Sequence, residues 1–379
     1  METCVTTPCP VCTSGDICEA FQLAKAWVPF STLSRPLAIG VCGVCGFVFQ
    51  FSAYESAYDR FMDAVYHAYD AEALFDFPRR SPENVRAAGM VAKYLKGKRV
   101  PDVLEIGSNK GDLLYLVKER VPGANILSID PSRAAGGHVP TICDYFRPEL
   151  FSSKFDAILL KQVLEHCKDP RSFLKGVVSL LKEDGILYLD VPNLRQIVSH
   201  RTDGFILEHV LYFTLETLDQ VLPSMEMVTV EEGASLCAVC RKGTTRQKRN
   251  ASGDALEMFT TIRAFGMVRQ DLKAALAAKA AQGHPIVFYG CYNVFRMLFR
   301  EIEALLVRCN CFYFDDAYFG PTEPVFDLPR RKVFTDQDVI VLCSNNSQAL
   351  AAMEQNARQM GGTILRPWKY IGNPEESRS

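Results

Sequence analysis

The feature that most constrains this chain is an alternation between about residues 84 and 240. Short apolar runs, "DVLEIG", "ANILSID", "FDAILL" and "ILYLDVP", take turns with amphipathic ones such as "DLLYLVKER" and "PRSFLKGVVSLLKEDG". Continuous apolar runs of strand length separated by helical patterns predict a doubly wound, mainly parallel sheet with helices on both faces. The first unit, "VLEIGSNKGDLL", reads as a strand, a turn holding Gly107, Asn109 and Gly111, and a helix start. Glycines let the backbone approach a ligand there, and a helix N-terminus favours negative charge. The next strand, "ANILSIDPS", ends in Asp130. That is about twenty residues on, where a carboxylate can bind ribose hydroxyls. "CDYF" sets Asp144 at a third strand end, and "FDAILLKQVLEH" carries a fourth strand into Lys161 to His166.

The N-terminal region has a different texture. Cys9-Pro-Val-Cys12 and Cys42-Gly-Val-Cys45 are two CxxC units with 29 residues between them, set among Gly, Pro and β-branched residues that bury little by themselves. Two such units complete a tetrahedral four-thiolate zinc site with no open position, which predicts a structural ion. The 14 cysteines of the chain are otherwise expected as reduced thiols. Cys237 and Cys240 repeat the spacing, but "ASLCAVCRK" reads as a strand, where residues three apart face opposite ways, so packing is their expected role.

Beyond the basic stretch "RKGTTRQKRNASGD", residues 241–254, which reads as a linker, comes a helical block. The strand-like runs "PIVFYG", "CFYFDDA" and "DVIVLCS" follow and predict a second, smaller α/β unit. A net charge of −2 argues against nucleic acid as the partner. The chain shows no apolar run of about 18 residues and no basic and apolar leader pattern, so a cytoplasmic protein without membrane partners is expected.

In combination, "EIGSNKG", "SIDPS" and "FDAILLKQVLEHCKDPRSFLKGVVSLLKEDGILYLDVPN" resemble the successive motifs of class I S-adenosylmethionine-dependent methyltransferases. The resemblance implies a Rossmann-like domain in which Glu105, Gly107 and Gly111 surround the methionine part of the cofactor. Asp130 would bind the ribose and Asp144 lie near the adenine, with Ser108, Asn109, Pro131, Lys161 and Gln162 as further cofactor contacts. Together with the cysteine pairs, an "EHVLYF" element and the C-terminal α/β unit, the chain is similar over nearly its full length to sugar C-methyltransferases acting on nucleotide-linked 4-ketohexoses. That similarity implies a nucleotide-linked sugar substrate, with His209 as general base beside Glu208. His166, Tyr66 and Tyr69 would be neighbours; in the C-terminal unit, where the chain diverges from the family, Tyr289, Gly290, Tyr292, Asn293 and Arg296 are the candidates for touching a nucleotide or diphosphate, with a scaffold role as the alternative.

The expected architecture is α/β. A zinc-binding domain occupies 1–55, a helical connector 56–85, the S-adenosylmethionine-binding domain 86–240, the linker 241–254 and the smaller α/β domain 255–379. The chemistry stands independently of the resemblance. A carbon next to a ketone is acidic enough for a positioned imidazole to deprotonate, and donors must then stabilise the charge on the ketone oxygen. The chain departs from the family in having Ile206 where a tyrosine is common, and in "FYGCYNVFRMLF" in place of a Gly-Ala turn followed by lysine. Methyl transfer to oxygen, nitrogen or a non-sugar carbon is the alternative activity, and a degenerate binding protein the alternative without one.

Overall fold

The computed structural model describes residues 7–27, 33–72, 79–132, 137–199, 205–243, 255–290, 310–314, 328–343 and 347–365. Packing divides the chain into two compact units. One comprises Met1–Glu19, Ala38–Gln196 and Glu208–Met258, the other Ala20–Leu37, Ile197–Leu207 and Phe259–Ser379. The segment expected as a zinc-binding domain is therefore shared between them.

The chain opens with β1 (Ile17–Trp27), β2 (Ser34–Cys42) and β3 (Val48–Gln50). The β2–β3 pair is antiparallel, and in the turn before β1 and the turn between β2 and β3 the backbone reverses tightly around a cysteine pair. After α1 (Tyr58–Glu72) and α2 (Pro82–Leu95) comes the alternating region, with β4 (Asp102–Ile106), α3 (Asp112–Arg120), β5 (Asn125–Ile129) and β6 (Thr141–Ile142). It continues through β7 (Phe155–Lys161), α4 (Pro170–Ser179), β8 (Leu181–Pro192) and α5 (Leu194–Ser199). Then follow β9 (Leu211–Tyr212), α6 (Leu215–Val221), β10 (Met225–Glu232) and β11 (Ser235–Lys242).

Seven of these strands form the central sheet in the order β10-β11-β8-β7-β4-β5-β6. The run from β8 to β6 is parallel, as the sequence alternation predicts, while β11 joins β8 antiparallel and β10 joins β11 antiparallel. The strand order reverses between β4 and β7, and in open α/β sheets ligands bind at the carboxyl ends of strands flanking such a reversal. Helix α3 covers β4 through buried Leu113, Leu114, Leu116 and Val117. That core also holds Val91, Leu95, Leu159, Tyr188 and Cys237, so truncating Leu114 to Ala costs about 2–5 kcal/mol. Cys237 and Cys240 are both buried on β11, the packing role expected of them.

Helix starts follow local chemistry. Ser81 caps α2 through the Asn84 amide with Pro82 in the first turn, and Asp169 caps α4 through the Ser172 amide ahead of Pro170. Thr214 and Thr217 cap α6 reciprocally. A smaller sheet, β1-β2-β3-β9, draws the segment after β8 against the cysteine hairpin, with Val48 opposite Tyr212 and Phe49 opposite Leu211.

At the amino ends of the central strands, Asp156 is nearly buried and accepts from the amide of Asp102 at 2.8 Å. It also accepts from Lys98 at 2.7 Å and Lys182 at 2.7 Å. Burial alone would raise its pKa, but the two ammonium groups more than offset this and hold it below the usual aspartate range. A carboxylate depressed in the folded state contributes stability that is present above its unfolded pKa, near 4, and lost as pH falls further. Asp156→Asn should therefore cost roughly 1–3 kcal/mol in urea unfolding at pH 7, and the gap from wild type should close as pH drops below about 4. A gap independent of pH would show that the network contributes through packing alone.

The second unit contains most of α7 (Ala255–Ala281) and four parallel strands. These are β12 (Ile286–Tyr289), β13 (Cys311–Phe314), β14 (Val339–Leu342) and, after α8 (Ser347–Met360), β15 (Thr363–Leu365), in the order β13-β12-β14-β15. Val287, Tyr289, Ile340, Leu342, Met353 and Ala357 form its core. The buried Asp338 is paired with Arg331 at 2.7 Å. No helix among the described residues is long and apolar enough to cross a membrane.

Candidate active site

The carboxyl ends of β4 and β5 build one half of the site. Gly107, with φ of 71°, donates its amide to the Ile129 carbonyl at 2.8 Å, and a Cβ there would lie 2.5 Å from Val163 Cγ2. Gly111, with φ of 76°, caps α3, and a Cβ on it would overlap Val139. Both glycines are thus required by backbone conformation and by close packing. Asn109 also adopts a positive φ, and its amide donates to Asp130 Oδ2 at 2.8 Å. Asp130 Oδ1 accepts from the Ser132 amide at 2.8 Å, so this nearly buried carboxylate fixes the glycine turn and its own loop.

Glu105 is buried on β4 and accepts from the Leu114 amide at 3.1 Å, capping α3 from the strand. Burial pushes its carboxyl up to about 8, opposed by the Leu114 amide and by the charge of Lys161. The Ser108 hydroxyl is buried with no hydrogen-bond partner, so the turn holds an unspent polar group where a ligand is expected. Gln162, in a positive-φ conformation, donates its amide to the Asp190 carbonyl at 2.7 Å and its side chain to Asp190 Oδ1 at 2.8 Å. Asp190 is a buried member of this end of the sheet that sequence reasoning passed over. Asp144 and Pro131 lie on more open ground, Asp144 accepting from Arg147 at 2.5 Å.

A second cluster forms where the turn after β7 meets the segment entering β9. The Val210 amide donates to the Glu165 carbonyl at 2.8 Å and the Gln50 amide to the Val210 carbonyl at 2.8 Å, locking the two segments together. The rings of His166 and His209 meet edge to face with centroids 5.1 Å apart. His166 Nδ1 lies 2.8 Å from the Glu208 carbonyl, which requires the proton on Nδ1 and leaves Nε2 as the lone-pair nitrogen. His209 Nδ1 is buried without a partner, so the Glu208 carboxylate does not orient that ring through Nδ1. The Glu208 backbone carbonyl is instead the partner of the other histidine.

Burial lowers both imidazoles, His209 far more strongly and with a further contribution from His166, so both are neutral at pH 7. Glu165 is fully buried, both of its carboxylate oxygens lack partners, and burial pushes it up to about 8. Sequence reasoning did not single it out, although it sits inside the "VLEH" string quoted above. Tyr66, on α1, keeps 40% of its surface exposed, and the protein atoms on its covered side and then the charge of Glu208 raise its phenol, which stays protonated. The side chain of Tyr69 lies outside the described residues.

The four cysteines converge as their spacing predicts. All four sulfurs lie within 4.8 Å of one another, with Cys9 to Cys45 and Cys12 to Cys42 each at 3.5 Å. Each pair is wound into the same turn, the amide of Thr13 donating to the Cys9 carbonyl and that of Gly46 to the Cys42 carbonyl, both with positive φ. Sulfurs on a tetrahedral ion with bonds of about 2.3 Å stand roughly 3.8 Å apart, so the set fits one metal ion.

In the second unit Tyr289 corrects an expectation. Rather than facing a ligand, it is buried at the end of β12 against Phe314 at 4.8 Å between ring centroids, and its hydroxyl accepts from Asn356 at 3.1 Å. The apolar strand run that contains it explains this, since every residue of β12 is buried. Tyr292, Asn293 and Arg296 lie outside the described residues.

Residues 73–224 match the family model described as a methyltransferase domain, a range that includes the strands from β4 to β8 and the glycine turn. The chain is also 29% identical, over 141 residues, to the C-methyltransferase NovU of Streptomyces niveus. The match covers 34% of this chain and 33% of that protein, so the chain spans about a third of the length of the curated relative it matches. Among solved structures it is similar to the plantazolicin methyltransferase BpumL, at 16% identity and a TM-score of 0.38, covering 48% of this chain and 91% of that one. It is also similar to the 1,6-didemethyltoxoflavin-N1-methyltransferase of Burkholderia thailandensis, at 18% identity and a TM-score of 0.39, covering 58% and 100% respectively.

Proposed function

We propose that this protein is an S-adenosylmethionine-dependent C-methyltransferase that methylates the carbon next to the ketone of a nucleotide-linked ketosugar. The observation that carries this reading is the pair of neutral, touching imidazoles of His166 and His209, set beside a phenol that stays protonated. A neutral imidazole can take a proton from the carbon next to a ketone, and the second ring stands beside it as a further acceptor.

The cofactor supplies an electrophilic methyl group on a sulfonium. The glycine turn, Glu105, Ser108, Asp130 and Gln162 would hold it, the orphaned Ser108 hydroxyl and the positive-φ glycines being suited to a ligand whose polar atoms come close to the backbone. His209 takes the proton from the substrate carbon. His166, its Nδ1 proton committed to the Glu208 carbonyl, presents Nε2 as the neighbouring acceptor. Tyr66 offers its hydroxyl to the charge that develops on the ketone oxygen. Tyr292, Asn293 and Arg296 remain the groups proposed for the nucleotide. The four cysteines hold a structural zinc ion.

NovU, by its name a C-methyltransferase, supports the choice of carbon over oxygen or nitrogen. The test is an assay of the purified protein with S-adenosylmethionine and nucleotide-linked 4-keto-6-deoxyhexoses in heavy and ordinary water, followed by mass spectrometry. A product heavier by one methyl, or deuterium entering the carbon next to the ketone, is expected. Neither change on any ketosugar, in protein shown to bind the cofactor, would overturn the reading.

A further inference from the structure

We propose that Glu165, His166 and His209 form a binding site for a divalent transition-metal cation of the zinc, cobalt or nickel class, separate from the four-cysteine cluster. A carboxylate oxygen and a nitrogen from each ring lie within 4.8 Å of one another, and the three residues belong to one compact unit. Ligand atoms on an ion with bonds of about 2.1 Å stand roughly 3.4 Å apart, so modest ring rotations bring all three to one centre.

Three further observations point to a ligand. Both Glu165 oxygens and His209 Nδ1 are buried without partners, and such groups are rare in folded chains unless something absent satisfies them. His166 already donates Nδ1–H to the Glu208 carbonyl at 2.8 Å, which is how a metal-binding histidine is commonly fixed so that its other nitrogen faces the ion. The backbone bond from Val210 to Glu165 holds the two segments in register without spending any of the three ligand atoms. Two imidazoles and one carboxylate suit borderline cations and not magnesium or calcium, which take oxygen ligands.

A bound cation occupies the lone pairs through which the histidines accept protons, so its arrival stops carbon-acid chemistry. That consequence rests on the proposed function; the site itself does not. The test uses the full-length protein carrying a single equivalent of zinc, held at the four cysteines, titrated with cobalt(II) alone and read by calorimetry and visible absorption. Wild type is expected to take up one further cobalt with d–d bands and no thiolate charge-transfer band. Glu165→Gln and His209→Asn should each weaken that binding at least tenfold. Thermal unfolding serves as the check on folding, and His209→Asn decides if Glu165→Gln does not fold. Cobalt appearing with the thiolate signature alone, or bound equally by wild type and both variants, would overturn the site. In an acceptor assay, filling the site should suppress transfer in wild type; if no acceptor is methylated at all, the binding measurement still decides.

Discussion

Replacing His209 with Asn is expected to lower the rate of methyl transfer by about 10²–10⁴-fold while leaving cofactor affinity unchanged, because a general base contributes on that scale. The split follows from where the residue lies. His209 sits with His166 in the cluster entering β9, whereas the cofactor groups sit on the turns after β4 and β5. Asn keeps the approximate volume and polarity of the ring edge but cannot take the proton. The pH dependence has a definite sign. Burial and the neighbouring His166 lower the imidazole, so its neutral, proton-accepting form persists to pH values below the ordinary histidine range. Rates should therefore be level through neutrality and fall only on the acid side of about 6.5. Full activity in the variant, or an acid limb above that value, would reduce the histidine pair to packing.

Removing metal from the cysteine cluster is expected to have the larger effect on stability. Hydrogen bonds from Cys45 and Cys9 pull the Cys42 thiol down, while Cys9 and Cys45 are pushed up, first by Cys42. A divalent ion removes that conflict by ionising every ligand. Structural zinc sites contribute on the order of 10 kcal/mol in small folding units, so chelation should unfold the cysteine hairpin before the central sheet. Loss of order should also spread from β3 to β9, since Phe49 pairs with Leu211 two residues beyond His209. Hydrogen exchange with and without chelator would read this directly, with fast exchange expected over residues 9–50 and 209–212. Elemental analysis should give one zinc per chain, and a value far below one would remove the claim.

Several parts of this structure could be read from the sequence because local physics encodes them. The alternation of strand-length apolar runs with amphipathic helices carries the parallel sheet. The positive-φ positions at Gly107 and Gly111 are ones that only glycine fills without strain, and the CxxC spacing brings each sulfur pair together within a single turn. Cys237 and Cys240 were legible as packing residues for the same reason, since a strand sends residues three apart to opposite faces.

Tertiary structure decided the rest. "EHVLYF" places Glu208 next to His209, but adjacency in the chain says nothing about contact, and the fold gives the Glu208 carbonyl to His166 instead. Glu165 and His166 gained His209 as a neighbour only through the bond from Val210 and the pairing of β3 with β9, both long-range. Tyr289 passed for a ligand contact because an aromatic at a strand end before glycine has the same sequence signature in a core as in a cleft. Strand, turn and helix propensities act over a few residues, so the sequence by itself determined the elements and the pairing of cysteines within each turn. Which side chains meet across elements depends on strand register and burial, and these are set only when the whole sheet closes.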